Sequence, residues 1–82
     1  MQYEIPETTP WGDPDYVREL APGIIHFMTP GHGGLYVCPE VNEKVPLKIK
    51  MASFLGNGFL GWYEEDCDMA MILGHFDLST YD

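Results

Sequence analysis

Residues 23–38, GIIHFMTPGHGGLYVC, decide the fold of this chain. Two short segments within it, residues 23–28 and 34–38, are rich in β-branched and aromatic residues and are bounded by proline or glycine, which is typical of strands. Between them, residues 29–33 contain two glycines that can adopt the positive φ needed for a chain reversal. The stretch therefore predicts an antiparallel β-hairpin.

Alternation along the hairpin identifies the first core residues. Successive side chains of a strand point to opposite faces, so Ile25 and Phe27 share one face, as do Leu35 and Val37. We expect these four side chains to begin the core. His26 then lies on the less buried face of its strand.

After Pro39 the spacing of apolar residues becomes helical. Pro46 suits a first helical position, and four residues at i, i+4, i+7 and i+8 then form one stripe that Gly56 can terminate. The stripe consists of Leu47, Met51, Phe54 and Leu55. A second helix is predicted from about residues 61–63 to Phe76, and its segment 69–73 is apolar nearly all round, as in a helix buried against a sheet.

These elements predict an α+β fold in which a small antiparallel β-sheet packs against two α-helices. The length of 82 residues predicts one domain, which spans residues 1–82. A domain of this size buries only about 60–65% of the surface that its unfolded chain exposes. Residues 1–15 contain three prolines and a glycine, which indicates an extended N-terminal arm. Residues 16–20 are compatible with either a strand or a helical turn.

The charge of the chain limits its partners. Thirteen acidic residues stand against four basic ones, which gives a net charge of -9. Such a chain is repelled by phosphate backbones and attracted to basic surfaces, so we expect no direct binding of nucleic acid and a basic protein as partner. With 45% hydrophobic residues the chain is too apolar to be a disordered acidic tail.

The start of the chain lacks a basic segment followed by an apolar run, so we expect no signal peptide, no membrane span and a cytoplasmic location. In that compartment Cys38 and Cys67 are expected to be reduced and buried. The oligomeric state stays open.

Four acids, Glu64, Glu65, Asp66 and Asp68, directly follow Trp62-Tyr63. At the start of the second predicted helix the macrodipole would favour them by about 0.3–1 kcal/mol each, so a solvated helix end is one interpretation. A partner-binding surface and a divalent-metal site are the others, and the net charge favours the binding surface. Trp62 and Tyr63 would then either anchor the contact or fill the core.

Three further acids form a possible second patch: Asp13, Asp15 and Glu19. The three lysines of the chain, Lys44, Lys48 and Lys50, suggest a solvated helical face and keep that side out of a basic interface.

No catalytic constellation is predicted. Residues 31–34, Gly-His-Gly-Gly, could form an anion-binding loop with His32 as a base, but a hairpin turn explains them without a ligand. The histidines and cysteines lack the paired spacing of zinc sites, and no nucleophile motif surrounds a serine or cysteine. We therefore expect no catalytic residue, no metal and no cofactor.

Four short sequence blocks resemble those of a known family: TPWG at 9–12, APGI at 21–24, HGG at 32–34 and GWYEEDC at 61–67. With them the chain resembles a family of small uncharacterised domains carried on phages, prophages and plasmids of proteobacteria. A small acidic protein of a mobile element is similar in character to anti-CRISPR proteins, several families of which mimic nucleic acid.

The resemblance and the charge together favour an acidic interaction protein rather than an enzyme. We expect it to block a basic nucleic-acid-binding surface of a host defence complex in the bacterial cytoplasm. The expected target is the DNA-recognition subunit of a type I CRISPR effector, inhibited by DNA mimicry or steric competition. A small metal-dependent enzyme using the acidic cluster and a structural or regulatory module of a mobile element are the alternatives.

Overall fold

A four-stranded antiparallel sheet forms the centre of the computed structural model, which describes residues 2–78. Its strands are β1 (Tyr16–Ala21), β2 (Ile24–Met28), β3 (Gly33–Val37) and β4 (Trp62–Glu64), and they lie side by side in chain order. The β2–β3 hairpin confirms the prediction from residues 23–38. The ambiguous residues 16–20 belong to an edge strand that pairs antiparallel with β2.

Within residues 2–78, three short α-helices and a 3₁₀ segment complete the α+β fold. They are α1 (Pro39–Asn42), α2 (Leu47–Ala52), the 3₁₀ segment (Phe54–Leu60) and α3 (Cys67–His75). The prediction that the last helix begins near residues 61–63 was wrong, because residues 62–64 pair with β3 as a strand. The left-handed conformation of Gly61 (φ 89°) turns the chain into this strand, so helix formation is delayed to Cys67.

The two pairs of predicted core residues lie on opposite faces of the sheet. Ile25 pairs with Tyr36 and Phe27 pairs with Gly34, so Ile25 and Phe27 face away from Leu35 and Val37. All four side chains are fully buried. The sheet is therefore covered on both faces. The four residues predicted to begin the core are all buried, but in two separate layers.

One layer is the main core beneath the helices. It contains residues from β2, β3, α1, the α1–α2 connection, β4 and α3: Ile24, Leu35, Val37, Cys38, Val41, Val45, Tyr63 and Ile72. Within the apolar stretch 69–73 only Ile72 is fully buried, and Met69, Met71 and Leu73 are half-buried while Ala70 is exposed. The helix α3 therefore packs against the sheet with one face, which confirms the prediction of a helix buried against a sheet.

The other layer is aromatic and is covered by the N-terminal segment. The Trp62 ring lies 4.9 Å from the Tyr36 ring and 5.6 Å from those of Phe27 and Trp11. Trp11 belongs to residues 2–15, which carry no helix and no regular strand and are held locally by a Thr9–Gly12 bridge. Trp11 thus fastens this segment to the sheet.

The predicted helical stripe is not part of the core. Ser53 adopts an extended conformation (φ -66°, ψ 154°), so α2 ends at Ala52 and the periodicity of the stripe is broken. Leu47, Met51, Phe54 and Leu55 are all exposed. The prediction that this stripe covers the sheet was therefore wrong.

Candidate functional site

Tyr63 belongs to the interior rather than to a contact surface. Its side chain is fully buried, and its hydroxyl donates a hydrogen bond of 2.6 Å to Asn42 Oδ1. Asn42 Nδ2 in turn donates to the Gly58 carbonyl at 2.8 Å. Burial, reinforced by the nearby Asp68 carboxylate, raises the pKa of Tyr63 to about 12, although the Asn42 hydrogen bond opposes the shift. Tyr63 therefore links β4 to α1 and the 3₁₀ segment.

Asp68 is also part of the internal structure. Its side chain is buried, and its Oδ2 accepts a hydrogen bond of 2.7 Å from the backbone N–H of Phe54. The carboxylate thus satisfies the first free amide of the 3₁₀ segment, as a capping side chain does. The predicted surface role of Tyr63 and Asp68 is corrected by this burial, since neither side chain is accessible to a partner.

Trp62 is half-buried and takes part in the aromatic layer. Its contacts with three other rings place most of its energetic role inside the domain. Of the two aromatic residues proposed as anchors, Tyr63 therefore lies in the interior, and Trp62 packs against other rings of the domain.

The remaining acids of the cluster lie at one end of the sheet. The backbone N–H of Glu65 donates to the Gly33 carbonyl at 2.9 Å, and that of Asp15 donates to the Met28 carbonyl at 2.9 Å. Because Met28 pairs with Gly33, Asp15 and Glu65 lie at the same end of the sheet, on its two opposite edges, about 14 Å apart. We call this region the acidic end: Asp13, Asp15, Glu64, Glu65 and Asp66.

The acidic end does not lie on a helix. Glu64 belongs to β4 and Glu65 follows it, so their side chains point to opposite faces of the sheet. Asp66 is exposed and adopts a positive φ of 75° in the turn before α3. The interpretation of the cluster as a solvated first helical turn is wrong for these three residues, and Glu64 and Asp68 do not share a helix face.

Glu19 lies apart from this region. It pairs with Ile25 three residues along β1 from the Tyr16–Met28 pair, about 10 Å away. The structure therefore divides the predicted second patch, because Asp13 and Asp15 join the acidic end and Glu19 does not. Asp13 also accepts a hydrogen bond of 3.1 Å from the Thr8 hydroxyl.

The loop of β2 and β3 lies between the two halves of the acidic end. The Thr29 hydroxyl donates to the His32 carbonyl at 3.0 Å and accepts from the His32 N–H at 3.2 Å. These bonds are those of a closed turn, as the hairpin interpretation requires. The exposed His32 ring has Nδ1 3.9 Å from Glu64 Oε1, so its positive form would reduce the negative potential locally.

Within residues 2–78, no three histidine, cysteine, aspartate or glutamate side chains are placed to bind a metal ion together. Cys38 is buried as expected, whereas Cys67 is exposed, so the expectation of two buried thiols was wrong for Cys67. Across the same range no helix has the length and apolar character needed to cross a bilayer.

The sequence interpretation missed an exposed surface on α2 and the 3₁₀ segment. Six large apolar side chains there are between 53% and 81% exposed, and we call them the apolar surface: Leu47, Met51, Phe54, Leu55, Phe59 and Leu60. The two elements contact each other, and the six residues are distributed over both of them. Glycines at 56 and 58 were the available signal, because they make a continuous helix through this segment unfavourable.

An open cleft of about 830 Å³ lies beside the N-terminal segment. Tyr3, Glu4, Tyr36 and Glu40 are among the side chains that line it. Burial raises the pKa of Tyr36, and the neighbouring Cys38 and Glu4 add to the shift. This cleft is acidic and aromatic, in keeping with the charge of the whole chain.

Comparison with known proteins identifies the family. Residues 4–81 match the model of a domain of unknown function, DUF7007. The comparison with curated proteins found no match, and neither did the comparison with solved structures. Because the match spans nearly the whole sequence, the chain belongs to the DUF7007 family.

Proposed function

We propose that this protein is an interaction protein that occupies a basic, nucleic-acid-binding surface of another protein. The observation that carries this proposal is the acidic end, where five carboxylates from two separate segments, residues 13–15 and 64–66, lie at one end of the sheet. Three of them, Asp13, Asp15 and Asp66, are exposed, and Glu64 and Glu65 are half-buried.

Charge supports a basic partner for this end. The net charge is -9, and the three lysines lie in residues 44–50, outside the acidic end. Attraction over a Debye length of about 8–10 Å would guide the encounter and give competition with nucleic acid a kinetic advantage.

In its specific form, the proposal is that the basic surface belongs to the DNA-recognition subunit of a type I CRISPR effector of a bacterial host. The protein would act by DNA mimicry or steric competition, without turnover of its own. This assignment follows from the resemblance to domains of mobile elements and from the acidic character of the chain.

A competition experiment tests the proposal. Binding of a target DNA duplex to the purified effector complex is measured with increasing protein, and we expect the duplex to be displaced. The variant Glu64→Lys/Glu65→Lys should lose displacement, because it reverses two carboxylates of the acidic end. The matched variant Glu40→Lys/Glu43→Lys makes the same change in net charge outside that end and should retain most of the activity.

Two results would contradict the proposal. If the duplex stays bound at saturating protein, this effector is not the target. If both variants weaken displacement equally, net charge alone is responsible and the acidic end is not a defined contact. Asp68 is left unchanged in both variants because its carboxylate caps the 3₁₀ segment.

A further inference from the structure

The cleft beside the N-terminal segment has the size and lining of a binding site. Its volume of about 830 Å³ lies within the range of about 300–1,000 Å³ that is typical of ligand pockets. Two of its lining side chains, Tyr3 and Tyr36, are half-buried, whereas Glu4 and Glu40 are exposed. The cleft therefore has aromatic rings in its more buried part and carboxylates towards the solvent.

The Tyr36 ring is held in place by the domain. It lies 4.9 Å from the Trp62 ring, and the pairing of these two residues places both side chains on the same face of the sheet. The Gly61 backbone lies close to the ring as well, since an added Cβ at Gly61 would be 3.4 Å from Tyr36 Cε1. The ring is thus already ordered by internal contacts, so binding against it costs little additional conformational entropy.

The electrostatic potential in the cleft is negative. Burial raises the pKa of the Tyr36 hydroxyl, and Cys38 and the Glu4 carboxylate raise it further. The same field that opposes a negative phenolate stabilises a cation. Among the residues that the structure describes, none of those that line the cleft is a lysine, an arginine or a histidine. The charge of the cleft therefore disfavours an anionic ligand and favours a cationic one.

The combination of rings and carboxylates favours a guanidinium group among cations. A guanidinium is planar, so it can stack on an aromatic ring within about 6 Å of the ring centre and also donate two parallel hydrogen bonds to a carboxylate. An ammonium group is more strongly hydrated and cannot form these paired hydrogen bonds. A metal ion is a poor alternative, because in the described part of the chain no three histidine, cysteine, aspartate or glutamate side chains are placed to bind one together.

We infer that the cleft binds the guanidinium group of an arginine side chain from a polypeptide partner. Tyr3 and Tyr36 provide the aromatic surface, and Glu4 and Glu40 provide the carboxylates. The long alkyl stem of arginine lets its charged group reach half-buried rings while the backbone of the partner stays outside. An open cleft accommodates such a side chain without enclosing the molecule that carries it.

This site is separate from the acidic end. Tyr36 lies three residues along β3 from Gly33, about 10 Å away. The backbone N–H of Cys38 donates to the Gly23 carbonyl, at the opposite end of the sheet from the acidic end. The inference therefore concerns a second contact and does not rest on the proposed competition with DNA.

Titration of the isotope-labelled protein with a short peptide tests the site. We expect the amide of N-acetyl-glycyl-arginyl-glycine to cause saturating chemical-shift changes in the backbone amides of Glu4, Tyr36 and Glu40, but not in those of Glu65 and Asp66. The corresponding citrulline peptide is the neutral control and should cause no saturating change. Equal changes with both peptides, or equal changes at the cleft and at the acidic end, would overturn the inference.

Two further ligands test the kind of cation and its source. The lysine peptide should bind several-fold more weakly than the arginine peptide, and equal affinity would contradict a site for guanidinium. Methylguanidinium, the free form of the group, should also bind several-fold more weakly, because it lacks the alkyl stem and the neighbouring backbone. If it bound as tightly as the arginine peptide, the occupant would be a small free molecule and not a polypeptide.

Matched variants locate the contact. Glu40→Gln should weaken binding of the arginine peptide several-fold, whereas Glu43→Gln removes the same charge at an exposed residue outside the cleft and should have little effect. Tyr36→Phe keeps the aromatic ring and should retain binding, whereas Tyr36→Leu should lose most of it. If Tyr36→Leu does not fold, Tyr3→Leu makes the same comparison at the other ring. Equal effects of the two glutamine variants, or unchanged binding in the leucine variant, would refute the site.

A comparison of the paired lysine variants separates this inference from the proposed function. Glu40→Lys/Glu43→Lys should lose the arginine peptide and still displace the DNA duplex. Glu64→Lys/Glu65→Lys should bind the arginine peptide and fail to displace the duplex. Loss of both activities in either folded variant would contradict two separate sites.

Discussion

At the scale of single residues, the Tyr63 hydroxyl makes a buried contact whose loss should reduce stability. Tyr63→Phe leaves the buried Asn42 Oδ1 without its 2.6 Å donor, and an unsatisfied buried acceptor costs about 1–3 kcal/mol. Urea denaturation measures the loss in the free energy of unfolding. Tyr36→Phe is the control at a half-buried tyrosine. An equal loss in the free energy of unfolding there would show that the Tyr63–Asn42 hydrogen bond adds no stability of its own.

The same hydroxyl makes stability depend on alkaline pH. The pKa of Tyr63 is about 12 in the folded state, above the ordinary value of 10.0 that holds when the chain unfolds. The folded state therefore retains the proton more strongly, so this contribution is complete below pH 10 and is lost as the pH rises from 10 to 12. We expect the melting temperature to fall across this range. Tyr63→Phe, which cannot ionise there, should show a smaller fall, and parallel curves would contradict the assignment.

Asp68 and Glu65 provide a contrast between structural and surface carboxylates. Asp68→Ala removes the acceptor of the Phe54 N–H and should cost about 1–3 kcal/mol of stability, because a partly buried amide loses its partner. Competition with DNA, measured below the melting temperature, should change little. Glu65→Gln is expected to do the reverse. If Asp68→Ala abolished competition in a folded protein, Asp68 would belong to the contact surface after all.

The sequence could not separate these two roles. Glu64, Glu65, Asp66 and Asp68 are adjacent acids of similar chemistry, and only the position of the 3₁₀ segment brings an amide to Asp68. That position depends on Ser53, Gly58 and Tyr63, which are distant from Asp68 in sequence or have other apparent roles. The negative charge of the candidate site was predictable from the sequence. Which of its carboxylates is buried and structural was not.

At the scale of elements, Gly34 determines how closely the N-terminal segment packs on the sheet. An added Cβ there would meet the Tyr63 carbonyl and would lie 2.6 Å from the Trp11 ring. We expect Gly34→Ala to lower the free energy of unfolding by about 1–3 kcal/mol, which is the usual cost of overpacking. Gly31→Ala is the control in the same hairpin, because an added Cβ has no neighbour within 4 Å there. Equal melting temperatures for the two variants would contradict this packing.

Elements with a complete local signal were predictable, and elements defined by distant contacts were not. The strands β2 and β3 are short, are rich in β-branched and aromatic residues and are joined by a turn that contains glycine, so residues 23–38 sufficed. The strand β4 has only three residues and depends on pairing with β3. The stripe from Leu47 to Leu55 has helical spacing, but Ser53 interrupts the helix, so the spacing did not describe a single face.

At the scale of the whole molecule, the net charge of -9 should make the proposed binding at the acidic end sensitive to salt. Binding of a basic partner at the acidic end weakens as salt rises, because screening removes the attraction. Competition with the DNA duplex, measured over a series of salt concentrations, checks this expectation. Competition that did not change with salt would contradict an electrostatic contact at the acidic end.

The aromatic layer gives the molecule a built-in optical reporter. The sequence has two tryptophans, and their rings meet edge to face on the side of the sheet opposite the helices. Their fluorescence and near-ultraviolet dichroism therefore register the docking of the N-terminal segment, whereas far-ultraviolet dichroism registers the helices and the sheet. Recording both signals during one titration with denaturant would show whether the segment is released before the remainder of the chain unfolds.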